Sequence, residues 1–484
     1  MRMGLQIRRW AGTASTWISG AHRPRKRKRP NWDYLTSEPL EQRCVLTVSQ
    51  GWASVLQPDG KEIVGGSALD PATGNSDFAI SRLNPDGTPD TTFNGDGQVL
   101  VPFNLLGAAG GEDAATCVSL QADGKIVVGG SAQASLNGDY DFAVARINFD
   151  GTLDTSFGNG GKTTIGFQAG GNLEDRATGI GVAQDGKIVV GGWATRNASG
   201  NTDFAVARLT TSGSVDPTFN STGKKLIAFD VGGARTDKAS SLAVQPDGRI
   251  VLAGSAQISK RGDYDFAVVR LNTNGSADKS FAGTGKRTVS FNLGGNRSDE
   301  ATSVALQGTN IVLGGYATRD SSGNEDFAAV RLLSNGNLDR SFSGDGKQTA
   351  AFDLGGSLQD RATSIAPTPD GRLVLAGLSE ISDGGDYDYG VVRLTPNGSL
   401  DPSFGNNGSV VVPIDLTGDA RDEAHAVTVN PEDDSITVAG TAYSGDAGDS
   451  EVAVARLTWL GNLDTLFAQN GLATYSFDNP NPPV

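Results

Sequence analysis

The chain has 484 residues, with 40 Lys and Arg against 55 Asp and Glu, for a net charge of −15. Two Cys exclude a disulfide framework or a cysteine-based zinc module, two His (His22 and His425) remove nearly all histidine-dependent chemistry, and no apolar run approaches the ~18 residues of a membrane-spanning helix. Residues 1–45 carry +7 and the rest −22, a body that repels phosphate backbones and so argues against nucleic acid as a partner.

The chain opens on a basic leader, residues 1–45, with the run Arg25-Lys26-Arg27-Lys28-Arg29 at its centre. Such a run reads as a solvated segment, disordered or removed, more readily than as a nucleic-acid patch. Its end, Glu38-Pro39-Leu40-Glu41-Gln42-Arg43-Cys44-Val45-Leu46, resembles the LEPR-type N-terminal motif of large exported planctomycete proteins, with Gln42 for the usual Pro and Val45 for a Leu. The resemblance implies export through the cytoplasmic membrane.

From residue 46 one unit is written seven times. The segment Asp-Phe-Ala-Val-Ala-Arg-Leu recurs with its arginine at Arg82, Arg146, Arg208, Arg270, Arg331, Arg393 and Arg456, at spacings of 64, 62, 62, 61, 62 and 63. Five residues earlier stands an acid (Asp77, Asp141, Asp203, Asp265, Asp326, Asp388, Glu451). Eight residues later comes Asp90, Asp154, Asp216, Asp278, Asp339, Asp401 or Asp464, and three further on Phe93, Phe157, Phe219, Phe281, Phe342, Phe404 or Phe467. A fixed period of this length marks a repeat architecture.

Each unit reads as four short strands. The first, such as Ala301–Gln307, meets a Gln-Pro-Asp-Gly turn (Gln57–Gly60, Gln245–Gly248) in which proline presets φ and glycine accepts the positive φ at the exit. The second is Lys-Ile-Val-Val-Gly-Gly (Lys125–Gly130, Lys187–Gly192), whose β-branched residues favour extended backbone. A loop leads to the third, Asp-Phe-Ala-Val-Ala-Arg-Leu. A second turn (Pro85-Asp86-Gly87, Pro396-Asn397-Gly398) and Leu-Asp-x-Ser-Phe precede the fourth, after Gly-Lys. Hairpin signals this close, without helical periodicity, predict an all-β, seven-bladed β-propeller of four-stranded antiparallel blades over residues 46–478, with 479–484 a disordered tail. A β-solenoid is the alternative.

These blocks resemble the delta-60 repeat of bacterial secreted and surface proteins, and the glycine pair is similar to that of kelch blades. The resemblance covers about residues 49–478. It implies a propeller-like fold and a secreted or cell-surface setting, and carries over no particular catalytic activity. Because the first unit has Ser49 where the others open on Asp113, Asp175, Asp237, Asp299, Asp360 and Asp422, Leu472–Phe477 is expected to cross over and complete the blade of Trp52–Arg82. The competing donor is Val45–Val48.

The seven arginines point to one face of each blade and, being buried, require partners. They read as inter-blade salt bridges rather than as an anion-binding ring. Asp139/Asp141, Asp263/Asp265 and Asp386/Asp388, in Gly-Asp-Tyr-Asp loops, are the candidate calcium ligands. No other cofactor is expected. Tyr140, Trp193, Tyr264, Tyr316 and Tyr387 fall at the ends of the loops between second and third strands, on one rim, and are the candidate binding aromatics. His425 stands where other units have Thr116, Thr178, Ser240, Thr302 and Thr363, the most conspicuous break in symmetry, and reads as a tolerated replacement near the channel. Cys117 reads as a small buried side chain, and Arg261-Gly262-Asp263 as repeat drift. No catalytic residue emerges, because sevenfold repetition offers little of the asymmetry an acid/base pair needs. The sequence therefore points to a non-catalytic monomeric binding or structural propeller whose partner is a glycan or an envelope protein. A secreted propeller hydrolase or lyase, and a calcium-stabilised envelope scaffold, are the alternatives.

Overall fold

The computed structural model describes residues 49–475, apart from 71–72, 108–109, 168–173, 230, 232–235, 260–261, 294–297, 322, 353, 355–358, 383–385, 415–420 and 444–449. The leader, Val45–Val48 and the tail lie outside these residues. The described chain forms seven four-stranded antiparallel sheets, each with its strands in sequence order. Blade one comprises Ser49–Leu56, Glu62–Leu69, Ser76–Leu83 and Gln98–Val101. Blades two to seven begin at Asp113, Asp175, Asp237, Asp299, Asp360 and Asp422 and end at Ile165, Ile227, Val289, Ala350, Val412 and Tyr475. The first strand of each blade touches the first strands of both neighbours, and blade seven touches blade one, so the first strands form the innermost wall of a closed ring. The structure is the expected seven-bladed β-propeller and not a solenoid.

The hairpin turns follow from the sequence. Gly60 sits at φ 81°, and its N–H donates to Gln57 O at 3.0 Å, closing the turn after the first strand. The glycine pair has a steric cause. A Cβ on Gly130, the second of the pair, would meet the carbonyl oxygen of Ala114 at 2.0 Å, and the same clash recurs at Gly192, Gly254, Gly315, Gly377 and Gly440. The first strand presses its backbone there because it carries a β-bulge in every blade, at Trp52, Thr116, Thr178, Ser240, Thr302, Thr363 and His425. A bulge re-aims the extra side chain, and here it falls on the innermost strand.

The core lies between blades. Seven apolar clusters fill seven seams, each drawing residues from two neighbouring sheets. The seam between blades four and five packs Val251, Phe266, Val268 and Phe281 against Val304, Ile311, Leu313 and Val330, all buried. Within blades one to five, the strand phenylalanine meets a second one beyond the fourth strand, as Phe78 meets Phe103 with ring centroids 4.9 Å apart. The seam that closes the ring is the smallest of the seven, with Val64 and Leu83 facing Ala439, Val452, Val454, Phe467 and Tyr475.

The expected strand exchange between termini does not occur. Leu472–Tyr475 pairs with Ala455–Val452 and completes its own seventh blade, while Ser49–Leu56 pairs with Glu62–Ala68 and opens a four-stranded first blade. Among the described residues every sheet is thus contiguous in sequence, and the first and seventh blades meet through side-chain packing and hydrogen bonds across one seam.

Candidate functional site

The seven arginines are placed by the third strand, and their alternation with small residues aims all seven the same way. Arg82 Nε donates to Asp90 at 2.6 Å, and Arg146, Arg208, Arg270, Arg331 and Arg393 meet Asp154, Asp216, Asp278, Asp339 and Asp401 at 2.7–2.9 Å. Arg456 meets Asp464 likewise. The ion pair therefore lies within one blade, eight residues apart, and is not the inter-blade bridge that the sequence suggested. What crosses the seam is the other arm of the guanidinium. Arg82 Nη1 donates to Phe149 O of blade two, Arg146 to Thr211 O, Arg208 to Thr273 O, Arg270 to Ser334 O, Arg331 to Pro396 O and Arg393 to Trp459 O. Arg456 donates to Pro85 O of blade one and so closes the ring with the same bond. Each arginine also lies over its own blade's phenylalanine, as Arg146 does over Phe157 at 4.6 Å.

Asp90, Asp154, Asp216, Asp278, Asp339 and Asp401 are held below the usual carboxylate range for this reason. Burial alone would raise Asp216, but hydrogen bonds from Thr218 and the Arg208 charge outweigh it and hold the carboxyl at about 2. Asp401 is held at about 2 in the same way, by Ser403, Arg372 and Arg393 against burial. Three of the acids five residues before the arginines, Asp77, Asp141 and Asp265, behave oppositely. Burial pushes Asp77 up to about 7, helped by the charge of Asp113, the opening residue of the next blade. Asp113 itself is raised by burial to about 6, although Phe103 and Gln133 N–H groups donate to it. Asp175 is raised by burial to about 7, with Asp141 of blade two adding to the rise.

The candidate calcium ligands separate accordingly. Asp141 and Asp265 belong to this seam-facing set, and Asp265 is pushed to about 6 by burial and by Asp299. Asp139 is buried and raised by burial, and Asp263 accepts from Ser259 Oγ at 2.5 Å. Asp386 and Asp388 open the third strand of blade six. Among the described residues no three His, Cys, Asp or Glu side chains gather as a metal site. Arg261 of the Arg-Gly-Asp tripeptide lies outside the described residues. Cys117 is buried in the seam between blades two and three, and burial pushes its thiol up to about 12, which leaves no nucleophile.

All five candidate aromatics are half-buried. Tyr140, Tyr264 and Tyr387 sit where the third strand starts, while Trp193 and Tyr316 sit near the end of the second. Four hold a cation from the next blade against the ring: Arg176 over Tyr140 (3.5 Å), Lys238 over Trp193 (4.2 Å), Arg361 over Tyr316 (4.9 Å) and Arg421 over Tyr387 (5.0 Å). Antiparallel pairing places the start of each first strand at this same rim, which is why the cations arrive there.

The innermost wall shows what the sequence reading missed. At the bulge, Thr116 Oγ1 donates to Ala177 O of the next blade at 2.7 Å. Thr178, Thr302 and Thr363 repeat the bond to Ala239, Ala362 and Ala424 O at 3.0, 2.8 and 2.7 Å. At the closing seam His425 and Trp52 occupy two consecutive bulges, and their rings stack at 5.1 Å with 20° between planes. Trp52 is 38% exposed. Burial pushes the imidazole's pKa down, with the charge of Glu423 opposing, and Glu423 Oε2 lies 3.7 Å from Nε2. Trp52 could have been found by aligning the first unit with the others, since it stands in the Thr column beside His425. The replacement therefore comes as a matched pair across one seam.

Seven contiguous four-stranded blades, written by one repeated motif, define the chain as a β-propeller repeat protein. Six segments, residues 57–93, 121–157, 183–219, 245–281, 310–342 and 368–404, match the family model described as domain of unknown function (DUF5122) beta-propeller. Among curated proteins none matches the chain in sequence. Among solved structures it is similar to the β-propeller domain of the Trilobed protease from Pyrococcus furiosus (12% identity, 88% of this chain and 97% of that one, TM-score 0.42). It is also similar to the α-L-arabinofuranosidase Arb93A from Fusarium graminearum (9% identity, 85% and 93%, TM-score 0.43) and the Bacillus subtilis arabinanase Arb43A (12%, 71% and 93%, TM-score 0.32).

Proposed function

We propose that the chain is a non-catalytic binding propeller of the delta-60 type, exported behind its basic leader, whose rim of second-to-third-strand loops takes a glycan of the cell envelope. The observation that carries this reading is the cation-backed aromatic set at one rim, continued down the wall by the exposed ring of Trp52. A ring pinned by a guanidinium loses little conformational freedom on binding, and an amphipathic ring offers both an apolar face and hydrogen-bonding edges. The repeated carboxylates favour binding over catalysis. Those beside the arginines are held by ion pairs, and those on the other face line the blade seams.

The test is a glycan and cell-wall array probed with the full chain, followed by Tyr140→Ala, Trp193→Ala and Trp52→Thr. The expected outcome is binding to at least one glycan class, weakened about tenfold or more by one of these substitutions at unchanged melting temperature. A chain that binds no glycan, or three variants that bind as the parent does, would remove the reading.

A further inference from the structure

On the face opposite the aromatic rim, a cleft of about 790 Å³ opens between the outer strand of blade four and the strand connection of blade five. Arg287, Arg340 and Lys347 line it, with Leu333, Leu338 and Asp345. In a body of net charge −22 this is a local concentration of cations, and only one of them is occupied. Lys347 Nζ donates to Ser290 O at 3.1 Å and stands 3.9 Å from Asp345. Arg287 Nε is buried and has no hydrogen-bond partner, and neither Arg287 nor Arg340 has a carboxylate partner among the described residues.

Both arginines break the repeat. The position of Arg287 holds Val99, Thr163, Gln348, Val410 and Ala473 in five other blades, and that of Arg340 holds Thr91, Thr155, Pro217, Pro402 and Thr465. The two positions face each other across a seam. They carry two cations only here and at the adjacent seam, as Lys225 and Lys279. A buried guanidinium nitrogen left unpaired costs stability, and nothing in the packing of the blades requires it, since five other seams do without. Arginine presents planar paired donors matched to carboxylate, phosphate and sulfate. The cleft is larger than one such group and has the size of a small-ligand site, with Leu333 and Leu338 as its apolar wall.

We propose that this cleft binds an oxyanion carried on a sugar-sized body, with Arg287 and Arg340 gripping the carboxylate, phosphate or sulfate. The site is separate from the aromatic rim and stands or falls independently of it.

Calorimetric titration of the full chain with trigalacturonate, with inorganic phosphate and with neutral maltotriose tests it, each repeated on Arg340→Gln and on Arg287→Gln/Arg340→Gln. The exposed Arg340 can be changed without disturbing the fold, and a thermal melt checks the double variant. The expected result is trigalacturonate binding that weakens with added salt and falls at least tenfold in the double variant, while Tyr140→Ala and Trp193→Ala leave it unchanged. Phosphate binding with the same dependence on both arginines supports the oxyanion grip and assigns it to phosphate chemistry. Absence of binding by both anions up to 20 mM, equal binding by maltotriose, or anion binding indifferent to the two arginines overturns the proposal.

Discussion

Arg270 shows how much one side chain carries in this molecule. Its guanidinium is 3% exposed and bonds Asp278 at 2.8 Å, Ser280 at 3.2 Å and the carbonyl of Ser334 in the next blade at 2.6 Å. Removing one member of a buried pair leaves the other charge unsatisfied, at a cost of about 3–5 kcal/mol, whereas exchanging both for apolar residues is far milder. Arg270→Ala should therefore lower the urea midpoint strongly, and Arg270→Met/Asp278→Leu should recover part of the loss. Equal losses in the two variants would show that the bond to Ser334, and not the charge balance, dominates. The repeat spacing offered two partners for the arginine, the acid five residues earlier and the Asp eight residues later, and only the structure chose the second. The third partner was not readable, because a bond to a backbone carbonyl leaves no mark on residue identity.

Among the strands, the second strand of blade one is the exception. It opens on Glu62 where the other blades have Ile126, Ile188, Ile250, Ile311, Leu373 and Ile436. Glu62 is 4% exposed, and burial raises its carboxyl to about 7 against a hydrogen bond from Thr428 of blade seven. Nearby, Ser81 Oγ donates to Tyr475 Oη at 3.0 Å across the same seam. The seam that closes the ring is thus the smallest in apolar residues and carries a buried carboxyl. A carboxyl whose folded pKa lies above its unfolded value destabilises the fold progressively as pH rises from about 4.5 to 7. Glu62→Ile should accordingly stabilise the protein by about 1–3 kcal/mol at pH 8 and change little at pH 4. Denaturation curves at the two pH values decide it, and a variant less stable than the parent at pH 8 would refute this account of the seam.

At the scale of the whole ring the carboxylates fall into two opposed sets. Asp77 and Asp175 are raised to about 7, and Asp113 and Asp265 to about 6, chiefly by burial. Each binds its proton more tightly folded than unfolded, so its contribution declines as pH rises from about 4 through 6 or 7. Asp216 and Asp401 are depressed to about 2, and Asp90 and Asp154 lie lower still, where hydrogen bonds and the arginine and lysine charges overcome burial. Their contribution is complete above about pH 4 and is lost below it. The two slopes meet at mildly acidic pH, so stability should peak near pH 4–5, below the pH 5–8 usual for proteins. Chemical denaturation from pH 3 to pH 8 measures this, and a maximum at pH 7 or above would contradict the burial of the first set.

The sequence alone determined the seven blades, their four strands and the stacking that buries their faces, because a motif repeated at a fixed spacing constrains local backbone and side-chain alternation in every copy. Tyr140, Trp193, Tyr264, Tyr316 and Tyr387 were legible as a set from loop position alone. Only the tertiary structure decided how the ring closes, since Leu472–Tyr475 could pair equally well in pattern with the first blade or with its own, and the choice rests on long-range geometry. The stack of Trp52 on His425 and the opposition of Arg287 to Arg340 belong to the same category. Each joins residues from different blades, and such contacts exist only once neighbouring sheets have been brought together around the axis.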